Sequence, residues 1–211
     1  MDPCSVEEPD PSPEWAQFRL DQEAQQGLCV WLGHYESKTP GCQCGLSATW
    51  FMGDRNAAEP ELFLRISPKY GGQSSETETG YGAGAPELAV EVIGFSLPGA
   101  LKFKESLYRR EGVLEYVMVD STRKRVLWRH LVNGEYQEIK PDSDGIMRSR
   151  VFPGLWLRPE DLWTRKAMDT VKRGLESPEH AEFAKKMAAS RKEESPHDQV
   201  EAGHAPLESG R

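Results

Sequence analysis

The sequence predicts an α/β fold built around a mixed β-sheet. Three observations carry that expectation. Leu88–Ile93 is a near-continuous apolar run of the kind that forms a central strand buried on both faces. Helix-period patterns flank the strand-like segments. Asn133-Gly134, between two runs rich in β-formers, is the strongest short-range hairpin signal available. In chain order the elements read αβββαβ, followed by an added β-hairpin and C-terminal helices.

Residues 1–12 are rich in Pro, Glu and Asp and predict a disordered acidic tail. From Pro13, with Ser12 as N-cap, Trp15, Phe18, Leu28, Cys29 and Leu32 recur at helical spacing among charged residues. Lys38–Gly45 reads as a turn-rich connection, Ser47–Met52 as a first strand, and Leu62–Ile66, entered through Pro60-Glu61, as a second. Ser67–Ala85 is a Gly/Ser/Glu/Thr-rich loop, unusually long for a compact domain. A helix over about Pro98–Glu111 ends at Gly112, a natural residue just past a helix C-terminus. Leu114–Asp120 is a strand, and Arg125–Trp128 with Tyr136–Ile139 makes the hairpin. Leu162–Leu175 reads as helical, Ser177-Pro178 opens another helix, and the polar end is structureless. The resulting division is 1–12 tail, 13–164 folded domain, 165–190 helical extension and 191–211 tail.

The chain has 211 residues and a formal net charge of −8, which argues against a surface wholly given to polyanions. That acidity is uneven. The first hundred residues hold 15 acidic and 5 basic side chains, residues 101–164 hold 10 and 12, so a local basic face is allowed. No apolar stretch approaches the roughly 20 residues that span a bilayer. The acidic N-terminus lacks the form of a secretory signal, and a cytoplasmic location is expected. Cys4, Cys29, Cys42 and Cys44 suit reduced thiols. Cys42 and Cys44, even with Cys29 and His34 nearby, lack the paired C-x-x-C framework of zinc sites.

Glu91 is the odd residue, a carboxylate inside an apolar strand. Burial without compensation costs several kcal/mol, so it must be paired, protonated or bound to a cation. Glu87 lies on the same strand face but about 13 Å away at 3.3 Å per residue, too far to share one ion directly. Glu61, at the mouth of the neighbouring strand, is closer. Two carboxylates with a backbone carbonyl such as that of Val92 are the hard oxygen set that Mg²⁺ (or Mn²⁺) takes while keeping several waters. The following helix supplies Lys104, whose ammonium could stabilise developing charge, and Tyr108 one turn on. Arg109, Arg110, Arg123, Lys124, Arg125 and Arg129 could line a phosphate groove, but Glu105, Glu111 and Glu115 among them fit a salt-bridged, solvated face equally well.

Pro60-Glu61-Leu62-Phe63-Leu64-Arg65-Ile66, Gly84 to Val92, Lys104 four residues before Tyr108, Gly112 to Tyr116 and Arg148 to Leu157 together resemble the Uma two family, within the PD-(D/E)xK nuclease superfamily. The resemblance covers roughly Pro13 to Phe183. It implies a restriction-endonuclease-like fold and a Mg²⁺-dependent endodeoxyribonuclease with Glu61, Glu91 and Lys104 as catalytic residues. The metal would be held by Glu61, Glu91 and Val92, with Glu87 and Tyr108 as accessory candidates and DNA as substrate. A homodimer is one assembly open to it. Ile93 stands where the superfamily pattern has lysine, which in this family has moved to the following helix. Two positions depart from the family: Glu61 replaces the usual Asp, and Ala100 stands where an Asp often precedes the lysine. Both keep a second expectation open, a degenerate nuclease fold that binds nucleic acid or protein.

Overall fold

The structure, a computed structural model, describes residues 13–53, 56–94, 98–164 and 166–191. The expected tails fall outside these residues apart from Arg191. Helix α1 (Pro13–Lys38) leads into strands β1 (Cys42–Leu46), β2 (Trp50–Met52), β3 (Asn56–Ala58) and β4 (Leu62–Ile66). After a 3₁₀ turn come β5 (Ser75–Glu76), β6 (Gly82–Ala83), β7 (Leu88–Ile93), α2 (Pro98–Glu111), β8 (Glu115–Asp120), and the hairpin β9 (Arg125–Val132) and β10 (Glu135–Ile139). Then β11 (Met147–Arg148), β12 (Trp156–Leu157), α3 (Ala167–Leu175) and α4 (Pro178–Ala189) complete the chain.

The main sheet has six strands in the order β1-β4-β7-β8-β9-β10. Only β7 and β8 run parallel, because α2 carries the chain back across the sheet between them; every other pair is antiparallel. The sheet is therefore mixed, as the sequence predicts, and the apolar run forms the central β7, whose residues are all buried except half-buried Ile93. Alternation along β7 sorts its side chains. Leu88, Val90 and Val92 join α1 residues Leu28, Trp31 and Leu32 in one core; Ala89 joins Leu107, Tyr108 and Tyr116 in a second core under α2.

Several elements differ from expectation. Cys42–Leu46 is an edge strand rather than a turn, since it pairs residue for residue with β4 despite its Gly and Cys content. Strand β2 begins only at Trp50, and β3 adds a strand the sequence does not announce. The long loop is partly structured: β5 and β6 join β2 and β3 in a small sheet of order β3-β2-β6-β5. Gly82 is required there, because a Cβ would sit 2.3 Å from the Trp50 ring. The helix expected from Leu162 starts at Ala167, after a 3₁₀ turn over Pro159–Leu162. Ala167 and Val171 of α3 belong to the core that α1 covers. In α1 the periodicity misleads at the start: Trp15 and Phe18 are about half exposed and stack on each other at 5.2 Å, while Gln17 is buried. Helix α4 opens as expected, with the Ser177 hydroxyl accepting from the His180 N–H at 3.3 Å.

Candidate active site

Glu91 is 3% exposed and faces α2. Both carboxylate oxygens are engaged: Lys104 Nζ donates to Oε2 at 2.7 Å and the Tyr108 hydroxyl donates to Oε1 at 2.7 Å. One helical turn separates Lys104 from Tyr108, which is why one carboxylate meets both. Burial pushes the Glu91 carboxyl above the usual range; Lys104 and Tyr108 pull it down, and the neighbouring negative charge of Glu61 pushes it up again. Burial, and then the Glu91 charge, keeps the Tyr108 phenol protonated well past its ordinary range. Lys104 is the exchangeable member. Its side chain is 35% exposed and reaches the Glu59 carbonyl at 3.4 Å as well.

Glu61 stands one residue before the paired part of β4. The register Leu62↔Val90 and Leu64↔Leu88, continued by one step, sets it opposite Glu91. The Glu87 and Ile93 carbonyls accept N–H groups from β8 and the segment just after it, so the backbone groups of Leu88, Val90 and Val92 point to β4. Positions 61 and 91 then form a non-hydrogen-bonded pair, the type that brings side chains closest. At the next step Val92 meets Pro60, which has no N–H to offer the Val92 carbonyl at that rung. This combination fits a hard divalent cation that completes its shell with water. No group of three His, Cys, Asp or Glu side chains that could hold a metal occurs among the described residues, so such an ion would rest on two carboxylates and a carbonyl.

Sequence reasoning missed Gln25. Its amide on α1 donates to Glu61 Oε2, tying the second carboxylate to the helix on the sheet's other side. The trace in the sequence is the row Gln17, Asp21, Gln25 at successive turns of α1, polar residues next to positions that must be buried. Gln17 bonds Asp21 at 2.8 Å and the Ser121 hydroxyl at 2.7 Å. The row also crosses the end of β7: a Cβ on Gly94 would lie 2.5 Å from Gln17 Nε2 and 2.6 Å from Asp21 Oδ2.

Glu87 is not brought to this centre. Its carboxylate accepts the backbone N–H groups of Ile66 at 2.8 Å and Gln73 at 2.9 Å at the opposite end of β7. Among the arginines of the basic set, Arg109 pairs with Glu135 at 2.5 Å, Arg110 with Glu111 at 3.0 Å, Arg123 with Asp120 at 2.9 Å, and Arg129 with Glu105. The salt-bridged alternative describes these four. Glu115 departs from it, being fully buried with donors from backbone and neutral side chains. A cleft of about 590 Å³ opens beside Glu61 and Lys104, between residues 57–59 and α2, with Phe103 on its rim.

Residues 11–160 match the family Uma2 (Uma two), described as "Putative restriction endonuclease". The chain belongs to the Uma2 family. The assignment agrees with the resemblance drawn from the strand and helix motifs. Among solved structures, five chains match. One is the crystal structure of a putative nuclease belonging to DUF820 from Anabaena variabilis, with a TM-score of 0.55 and 14% identity over 69% of this chain and 80% of that one. At that identity the likeness speaks for the fold, which is that of this neighbour. No curated protein matches. Among the described residues, no helix is long and apolar enough to cross a membrane.

Proposed function

We propose that this Uma2 protein is a divalent-metal-dependent nuclease that hydrolyses DNA phosphodiester bonds at the carboxyl end of β7. The observation that carries the reading is the meeting of Glu91, Lys104 and Tyr108 beside the strand entry at Pro60, where the β4–β7 register, carried one step on, sets Glu61 alongside Glu91. Glu61, Glu91 and the Val92 carbonyl would hold Mg²⁺ or Mn²⁺. When bound, such an ion supplies Lewis-acid polarisation of a phosphoryl oxygen and a more acidic water.

The remaining work falls to the chain. Tyr108, held protonated, donates to one Glu91 oxygen and fixes the carboxylate's rotation, leaving the other oxygen to Lys104. Because Lys104 sits at the cleft wall with a second acceptor in the Glu59 carbonyl, its ammonium can turn from Glu91 toward a phosphate without losing every partner. There it stabilises charge developing on the phosphoryl oxygens and orients the attacking water. Gln25 holds Glu61 in place across the strand end.

Plasmid and oligonucleotide cleavage with Mg²⁺ or Mn²⁺ tests the reading. Wild-type protein should cleave, and Glu91→Gln and Lys104→Ala should not. Equal cleavage by all three would assign the activity elsewhere. A second reading, a degenerate fold used for binding, is favoured by Glu61 standing where the family usually has Asp and Ala100 where it often does. It predicts no heat of Mg²⁺ or Mn²⁺ binding in calorimetry and no cleavage.

A further inference from the structure

We infer that the site takes single-stranded nucleic acid, read by stacking on exposed aromatic side chains. The inference rests on the nuclease reading for the identity of the site, and deepens it by naming the substrate class. Phe103, one residue before Lys104, is 66% exposed and borders the cleft that holds Lys104 and Glu61. A large apolar ring left in water beside a cleft with a charged centre is what a nucleotide needs: a face for the base next to groups for its phosphate. The cleft, about 590 Å³, is of small-ligand size rather than a broad groove.

The aromatic surface continues across the small sheet. Ala57, also at the cleft, pairs with Phe51 in the β2–β3 register. Phe51 is 45% exposed and meets Tyr81, 46% exposed, edge to face at 5.4 Å. Phe103 and the Phe51–Tyr81 pair thus flank the β3 edge, and a strand leaving the cleft over β3 passes from one to the other. Duplex binding draws instead on free cations facing phosphates. Here Arg109, Arg110, Arg123 and Arg129 each pair with a carboxylate, Lys102, Lys124 and Arg125 are exposed, and Glu59 and Glu61 line the cleft itself. A single strand uses cations along its backbone as a duplex does, but it also offers unpaired base faces, and only these can use the exposed rings of Phe103, Phe51 and Tyr81.

Fluorescence anisotropy with a labelled twelve-nucleotide oligo-dT and a blunt duplex of equal length, in Mg²⁺ buffer, tests this on the full chain. Glu91→Gln serves as the background, so that binding is read without cleavage. The single strand should bind at least tenfold tighter than the duplex. Phe103→Ala should lose about fivefold or more of that affinity and Phe103→Trp should restore it, while Phe51→Ala with Tyr81→Ala should lose a similar factor. Equal affinity for strand and duplex, or unchanged binding in the aromatic variants, overturns the inference. So does light scattering that shows a dimer dissolved by Phe51→Ala and Tyr81→Ala with oligonucleotide binding intact, which would assign the face to a second copy. Cleavage by the wild type separates the two levels: cleavage with unaffected aromatic variants keeps the nuclease and removes the stacking, and stacking without cleavage does the reverse.

Discussion

Glu91 and Glu115 sit on adjacent parallel strands, both almost without solvent, and they are held in opposite ways. Glu115, at the amino end of β8, accepts the N–H groups of Arg150 at 2.6 Å and Val151 at 3.2 Å, the Ser149 hydroxyl at 2.8 Å and Trp128 Nε1 at 3.1 Å. Those donors belong to backbone or to packed side chains, and the one with a second acceptor, the Val151 N–H, finds it in Ser149 Oγ of the same turn. Glu91, toward the carboxyl end of β7, is held by a phenol and by a flexible ammonium at a cleft wall. Burial therefore does not distinguish the two. What does is whether the partners can be exchanged: Glu115 staples the 149–152 turn to the sheet, and Glu91 has a partner that can leave.

The sharpest break would come from removing each carboxylate in turn. Glu115→Ala leaves Trp128 Nε1, the Ser149 hydroxyl and the Arg150 N–H without this acceptor, while the Val151 N–H keeps the Ser149 oxygen at 3.1 Å, and should cost about 3 kcal/mol of unfolding free energy at pH 5, read by urea denaturation. Glu91→Gln should cost less than half as much, because Tyr108 can still donate and Lys104 can turn to water. Comparable losses would erase the distinction. A smaller effect separates the pair by pH. Burial lifts the Glu115 carboxyl to about 7. The native state then holds this proton more tightly than the unfolded chain, so its contribution is complete below about pH 4.5 and is lost as pH rises through about 7. The stability gap between wild type and Glu115→Ala should narrow by as much as about 3 kcal/mol from pH 4.5 to 8, and a gap that widens would overturn the assignment. In activity the order inverts. Glu91→Gln should lower cleavage about a hundredfold or more in kcat, on the scale of losing one electrostatic catalytic group, at temperatures where both variants are folded. The smallest effect expected is for Gln25→Ala, which frees Glu61 and should weaken the apparent Mg²⁺ affinity about tenfold with little change in melting temperature. Titration calorimetry would measure it, and an unchanged affinity would remove Gln25 from the site.

The same two residues show what the sequence makes legible. Glu91 stands out because it interrupts Leu88–Ile93, and strand alternation places it on the Ala89 face, where the structure has it. Lys104 and Tyr108 follow from helical spacing. Glu115 sits in a comparable apolar run, yet arginines nearby in sequence suggest ion pairs; three of its four donors come from residues 149–151, more than thirty positions away, and no local pattern announces a turn that will fold back onto it. Gln25 is hidden for the same reason, since the 36 residues to Glu61 are closed only by α1 crossing the sheet. Strands β1 and β3 escape notice because Cys, Gln, Gly and Ala carry weak strand preference; their pairing comes from the neighbours β4 and β2 rather than from their own composition.

Pro60 gives the site a property unlike those that packing confers. A core can be refilled by many combinations of side chains, and its shape drifts as they change. An imino nitrogen carries no hydrogen in any of those backgrounds. The pairing of β4 with β7 runs to Leu62↔Val90, and at Pro60 there is no N–H by which any repacking of the two cores could lengthen the ladder.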